Sequence, residues 1–382
     1  MRIGGLLLSL TKGIRAFIFT SLAITVPFFL SSMDVSTLYI SIIILSSLGV
    51  STLFLYLYTS IRIQIKAKLI FVSLLLLGSL IFLFTYETAI ALIIAMVIGS
   101  LSFAGRDLTV NQSIESYTLS TYTEVQREKN LMFSIYNFTS YAAGATGSGV
   151  LFLYGSSDYD RIFLILAVLS AIQLLIYVVM KFPVVDHLKQ KEALSEPDLR
   201  RKISHLAILF SVDSIGGGLV NTAILTLWFK VVYNITLSQA GLIFVIVNVI
   251  TALSVIGSNY ISNRMGLVRT MVYTHLISNL FLFMVPVFHS LIISELFLYL
   301  RQSTSQMDVP ARDSFTNTYI PKNARIAANS TFLAVRNGGQ IPGPGIAGLI
   351  LEVFPGGVFF AASLTKIAYD LAFYIGFRHF KG

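Results

Sequence analysis

An all-α membrane protein, with twelve transmembrane helices arranged as two pseudo-symmetric six-helix bundles, is the fold class this sequence predicts. Three observations predict it. Only 12% of the 382 residues are charged while 55% are hydrophobic, against roughly 25% charged in a soluble domain. Apolar runs of about 20 residues, the length that crosses roughly 30 Å of hydrocarbon, recur along the whole chain. The two halves also echo one another across one long hydrophilic stretch, PVVDHLKQKEALSEPDLRRK, from Pro183 to Lys202.

In the first half the runs cover residues 14–33, 35–59, 67–86, 88–116, 130–154 and 161–180. The first of them, apolar from Ala16 to Met33, is long enough to span and reads as a mature helix rather than a cleavable leader. The fourth carries GRDLTVNQSIES at 105–116 and the fifth YAAGATGSG at 141–149. In the second half the runs cover 203–229, 237–260, 268–289, 291–316, 326–350 and 356–379. The seventh run holds Asp213 before three glycines, the tenth holds RQSTSQMDVPARDSF at 301–315, and the eleventh holds Arg336 and GGQIPGPGIAG at 338–348. No alternating strand pattern is present, which excludes a barrel. The domain reading is therefore 1–182 for one bundle, 183–202 for a cytoplasmic linker and 203–382 for the other.

Lys and Arg set the orientation. Arg161 and Lys230 alone fall on one side, and Arg106, Arg301, Arg312, Arg336 and Lys366 fall within runs. The other 20 of the 27, Arg2, Lys12, Arg15, Lys66 and Lys68 among them, lie on the side of both termini. The positive-inside rule makes that side cytoplasmic, in a multi-pass protein of the cell membrane. The formal charge of +9 is thus a topology signal in contact with a lipid bilayer, not a nucleic-acid footprint.

The repeat is visible at an offset of 198 residues. Glu115 then matches Asp313, Ser116 matches Ser314, Tyr117 matches Phe315 and Arg127 matches Arg325. Ser60-Ile61-Arg62 parallels Ser262-Asn263-Arg264 at an offset of 202. Two parallel six-helix repeats imply alternating access around a central site.

Several chemistries are excluded. With no cysteine there is no disulfide, thiolate metal site or cysteine nucleophile. The five histidines, His187, His205, His275, His289 and His379, show no metal-binding spacing. No phosphate-binding P-loop is present, so ATP is not a direct drive. The reading requires no cofactor and no metal, and it is not an enzyme.

The loop SNYISNRMGLVR at 258–269 resembles the G-x-L-A-D-R-x-G-R-K loop of the major facilitator superfamily, keeping Arg264, Gly266 and Arg269, with Asn263 in place of the acid. The earlier copy, TSIRIQIKAK at 59–68, keeps Arg62. The resemblance implies that these residues form gating loops clamping cytoplasmic helix ends. Gly339, Gly343, Pro344 and Gly348 are similar to an antiporter signature of the same family, transposed from the fifth run to the eleventh. The segments MDVPARDSF and FSVDSIGGGLVN resemble efflux-type members.

Ionisable groups within spans are the candidate machinery, because an ionised side chain at the bilayer centre costs about 2.5–3.5 kcal/mol on insertion scales. On one continuous helix Arg301, Thr304 or Ser305, Asp308 and Arg312 share a face, with Asp308 and Arg312 one turn apart and able to pair. Asp213, Asp308, Arg312, Asp107, Glu115 and Arg106 form the expected proton-coupling network. Asp213 is the leading proton carrier, with a permanent Asp–Arg pair between the halves as its alternative. Asp308, Arg312 and Asp313 read equally as a gate network that never meets solute. Glu115, close to the cytoplasmic end, reads also as a solvated surface acid. Arg301, Asn221, Tyr136, Asn137 and Arg336 are the solute-binding candidates. Pro342, Gly343 and Pro344 are expected to bend the eleventh helix, while the glycines of the fifth run permit close packing. Trp228 and Tyr233 fit an interfacial aromatic belt.

The functional expectation is a monomeric secondary active transporter of a small solute, driven by protons and exporting its cargo. A uniporter or an uptake carrier for an organic anion is the alternative within transport. A non-transporting receptor or intramembrane enzyme is the alternative outside it.

Overall fold

The computed structural model describes residues 3–60, 63–105, 107, 110–122, 126–155, 158–182, 197–321 and 324–380, and every regular element among them is helical. In chain order these are α1 (Ile3–Ser31), α2 (Thr37–Ser60), α3 (Ile65–Thr85), α4 (Ala89–Gly99), α5 (Val110–Thr121), α6 (Gln126–Tyr154), α7 (Tyr159–Val179) and α8 (Pro197–Leu219). They continue as α9 (Thr222–Tyr233), α10 (Leu237–Met265), α11 (Leu267–Met284), α12 (Leu291–Ser305), α13 (Asp308–Tyr319), α14 (Arg325–Gln340), α15 (Pro342–Val353) and α16 (Gly357–Phe377).

Eight of the twelve sequence runs are single helices, and four are each broken into two. The breaks have local causes. In the tenth run Pro310 has no N–H to give the Gln306 carbonyl four residues back, so α12 ends at Ser305 and α13 starts at Asp308. In the eleventh, Pro342 and Pro344 withdraw two more donors, and α14 gives way to α15 at Ile341. In the seventh, three glycines weaken the end of α8 and the Asn221 side chain caps α9 by accepting from the Ile224 N–H at 3.0 Å. In the fourth, Ser100 closes α4 in the left-handed region at φ 52°, and Gly105 follows at φ +80°, where only glycine sits without strain.

Eight of the described helical segments, counting α8 and α9 as one, are long and apolar enough to cross a bilayer. The rest correspond to the fourth, fifth, tenth and eleventh runs, which carry much of the polar sequence. Exposed apolar stripes fit lipid contact. Along α7, Leu164, Val168, Ile172, Leu175 and Val179 follow helical spacing, and each is at least 42% exposed. The chain is a multi-pass membrane protein.

Two compact units are present: Met1–Asp186 with Asn221–Asn248, and His187–Val220 with Val249–Gly382. Residues 221–248 cluster with the first unit. The reason is close packing. Gly241 and Ser238 on α10 lie against the Ser148–Phe152 end of α6, where the Ser238 hydroxyl donates to the Phe152 carbonyl at 2.7 Å, and α9 packs on α1.

Within the first unit α1 is buried along most of its length and packs chiefly against α6. Gly13 and Gly147 permit this approach, since a Cβ on Gly13 would stand 2.8 Å from Thr139 Cγ2 and one on Gly147 2.8 Å from Ser21 Oγ. Within the second unit α8 is packed by α14, α15 and α16. An aromatic core of Phe210, Phe315, Phe332, Tyr369, Phe373 and Phe377 fills that end. Gly218 of α8 meets the α14–α15 break directly, and a Cβ on Gly343 would overlap the Gly218 backbone. Gly218→Val is therefore expected to destabilise the purified protein by about 1–3 kcal/mol through overpacking. Gly338→Ala, with open space around it, is expected to leave thermal unfolding unchanged or slightly improved.

Candidate functional site

Buried charge is concentrated in one cluster within each unit. In the first, Arg15 of α1 is fully buried and faces α5. Its Nε donates to Asp107 Oδ2 at 2.8 Å, its Nη1 to Glu115 Oε1 at 2.9 Å, and its Nη2 also to Glu115. Lys12, one turn away, reaches Asp107 at 3.2 Å. Glu115 further accepts from the hydroxyls of Tyr136 at 2.7 Å, Tyr177 at 2.6 Å and Thr11. Among the described residues two cations face two carboxylates, so the cluster is neutral as it stands. That closure keeps four charges tolerable away from water.

The second cluster joins α8, α11, α13 and α16. Asp213 of α8 accepts from Lys366 Nζ at 2.6 Å, with Arg312 Nη1 at 3.8 Å and His275 Nε2 at 3.6 Å. Arg312 donates to Asp308 at 2.9 Å across one turn of α13. His275 of α11 meets Asp370 Oδ1 through Nδ1 at 2.7 Å, and Asn279 donates to Asp370 Oδ2 at 2.9 Å. All of these side chains are buried. The stripe Phe359, Ala362, Lys366, Tyr369, Asp370 and Phe373 shows how α16 places its two charges on its inward face. Gly216 on α8 makes room for the Lys366 stem, whose Cγ lies 2.8 Å from where a Cβ would stand.

Asp213, Asp308 and Arg312 come together, the last two paired as their spacing predicts. Asp213 takes Lys366 of its own unit as its nearest cation, at 2.6 Å. Asp107 and Glu115 also come together. Glu115 is fully buried, which corrects its reading as a solvated acid: α5 turns it onto Arg15. Tyr136 serves that same cluster through its hydroxyl, while the neighbouring Asn137 is exposed. Asn221 caps α9. Arg301 is half-buried and donates to Gln302 Oε1 at 3.1 Å, and Gln302 in turn reaches Thr251 at 2.6 Å. Its expected continuous face with Arg312 is corrected by the break at Gln306–Met307. Arg336 is half-buried within electrostatic reach of Asp313. At the α10–α11 junction Gly266 caps α11 at φ 82°; Arg269 in the first turn of α11 is exposed, and Arg264 at the end of α10 lies over the Tyr260 ring at 4.4 Å. Arg62 and Arg106 lie outside the described residues.

Sequence reasoning missed six residues, Lys366 among them, which it counted only as a charge within a run. The charge count places Lys12, Arg15 and Lys68 in cytoplasmic loops, yet all three are buried. The correction follows from α1 starting at Ile3 rather than near residue 14, which carries Lys12 and Arg15 into its interior. Lys68 instead donates to the Tyr58 carbonyl at 3.0 Å. His275 and Asp370 carried no motif. One signal was available: the 198-residue offset that aligns Glu115 with Asp313 also aligns Arg15 with Asp213. Equivalent positions on α1 and α8 thus carry opposite charges, each answered from the matching half of the repeat, by Glu115 on α5 and Arg312 on α13.

The architecture has clear structural relatives. The nucleoside transporter NupG superimposes with a TM-score of 0.74 at 16% identity, covering 100% of both chains. A D-xylose-proton symporter gives 0.73 at 11% identity, covering 98% of each. This chain has the major facilitator fold. A third member of that fold, the human organic anion transporter MFSD10, gives 0.71 at 14% identity over 98% of this chain and 100% of its own. In sequence alone the chain matches no family model and no curated protein. The major facilitator resemblance of the loop around Gly266 is therefore matched by the architecture of the whole chain. Among the described residues no group of His, Asp and Glu is arranged to hold a metal ion.

Proposed function

We propose that this protein is a secondary active transporter that carries a small solute across the cell membrane by alternating access, coupled to protons and working in export. The carrying observation is the pair of buried charge clusters, one inside each unit of a major facilitator fold whose outer surface is apolar. Intramembrane ionisable groups are costly to keep and characteristically mark proton or solute pathways. The reading includes twelve membrane crossings, cytoplasmic termini and a monomer working alone. The solved relatives carry nucleosides, a sugar with protons, or organic anions, which supports a small polar solute.

A second reading, an uptake carrier for an organic anion, is favoured by one feature. Arg312 is buried, and its Nε and Nη2 have no hydrogen-bond partner among the described residues, so an anionic group would satisfy both. A ligand thermal-shift screen across pH, followed by flux in liposomes for each hit, separates the readings. Export is supported if a proton gradient of inward sense expels the solute and a proton ionophore abolishes the effect. Ionophore-insensitive equilibration to unit ratio would instead favour a uniporter, and binding without any flux would favour a receptor.

A further inference from the structure

The two clusters differ in their charge count. Among the described residues the first closes at zero with Lys12 and Arg15 against Asp107 and Glu115. The second sets three carboxylates, Asp213, Asp308 and Asp370, against two fixed cations, Lys366 and Arg312. Asp313 and Arg336, within reach of that end, add one charge of each sign and leave the difference unchanged. Among the described residues one negative charge is therefore unanswered unless a proton is bound, and His275 lies among these groups. We propose that the His275–Asp370 couple is the proton-binding site of the second unit. It rests on the carrier reading for its use, though not for its existence.

The geometry specifies where the proton goes. Both oxygens of Asp370 take donors, Nδ1–H of His275 at 2.7 Å and Nδ2–H of Asn279 at 2.9 Å. Nδ1 thus keeps its hydrogen, and Nε2 carries the lone pair, toward which the Lys366 ammonium donates at 3.5 Å. Around Nε2, α16 brings Lys366 Nζ at 3.5 Å and α8 brings Asp213 Oδ1 at 3.6 Å. The Tyr369 ring stands edge-on at 5.9 Å. From α13, Arg312 and Asp308 reach this point through Asp213, and α12 supplies no charged partner to the imidazole among the described residues. A hydronium ion transfers its proton to Nε2, its O–H bond breaking as the N–H forms and water leaving, while the Lys366 contact to Nε2 is given up; the reverse transfer releases the proton. The new N–H points at the oxygen Lys366 holds, and its charge repels the ammonium. Protonation thus loosens the Lys366–Asp213 bridge, which ties α16 to α8, and His275 takes over its acceptor. Proton binding is converted into a change of helix contacts within one unit.

The test is histidine NMR on the purified protein carrying labelled imidazoles, titrated between about pH 5 and pH 8, where histidine changes charge. His275 is assigned as the signal lost in His275→Gln. Should that variant fail to fold, replacing His187, His205, His289 and His379 together leaves His275 as the single histidine. The expected result is one proton bound by His275 in this interval. In Asp370→Asn, where two carboxylates and two cations already balance, that proton is no longer taken up at the same pH. A His275 signal that keeps one charge state throughout, or an unchanged titration in Asp370→Asn, would overturn the assignment. Neither outcome depends on flux, so failure here is distinct from failure of the transport reading.

Discussion

Arg15→Met is expected to destabilise the protein by about 3–5 kcal/mol, the cost of removing one partner from a buried ion pair. Arg15 is fully buried and serves Asp107, Glu115 and the Tyr177 hydroxyl at once. Methionine of similar length leaves two carboxylates facing Lys12 alone. The diagnostic comparison is the double variant. Arg15→Met with Glu115→Gln returns the cluster to balance between Lys12 and Asp107, and neutral replacement of a whole buried pair is often close to neutral in stability. Unfolding of the four proteins in a double-mutant cycle should therefore show strong positive coupling. A double variant as unstable as Arg15→Met itself would mean that the side chains contribute by shape and not by charge.

Lys366→Met carries the second large effect. It leaves Arg312 as the one fixed cation against Asp213, Asp308 and Asp370, and it removes the 2.6 Å bond to Asp213. A loss of about 3–5 kcal/mol is expected from the uncompensated carboxylate, together with loss of flux for any solute identified by the binding screen. Lys366→Arg should not rescue it. The Lys stem lies against Gly216, and a planar guanidinium does not fit a site shaped for a compact ammonium. Pairing Lys366→Met with Asp213→Asn should restore much of the stability and none of the flux. Recovery of flux in that pair would place both residues outside the transport cycle.

Local chemistry made much of the fold readable. Charge scarcity fixed the membrane class, the twelve runs lie where helices form, and prolines at 310, 342 and 344 account for two of the four breaks. The Asp308–Arg312 pair was legible because its partners are one turn apart. Arg15 and Glu115 were not, since exactly 100 positions separate them and nothing local in either segment names the other. Proximity to the N-terminus made Arg15 look like a topology signal. Asp370 and His275 sit 95 residues apart on helices that are otherwise ordinary. Only the internal repeat, carried through from Glu115 to Arg15 and Asp213, offered a route to the clusters before the helices were assembled.

The central claim is carriage by alternating access, and entrance counterflow tests it most directly. Liposomes containing the purified protein are loaded with unlabelled ligand from the binding screen and diluted into a trace of labelled ligand, at equal pH and with no membrane potential. A carrier that exposes one site to each side in turn should draw the label transiently above its equilibrium level inside. Label that rises only to equilibrium without overshoot, or does not enter although the ligand binds, would contradict the account.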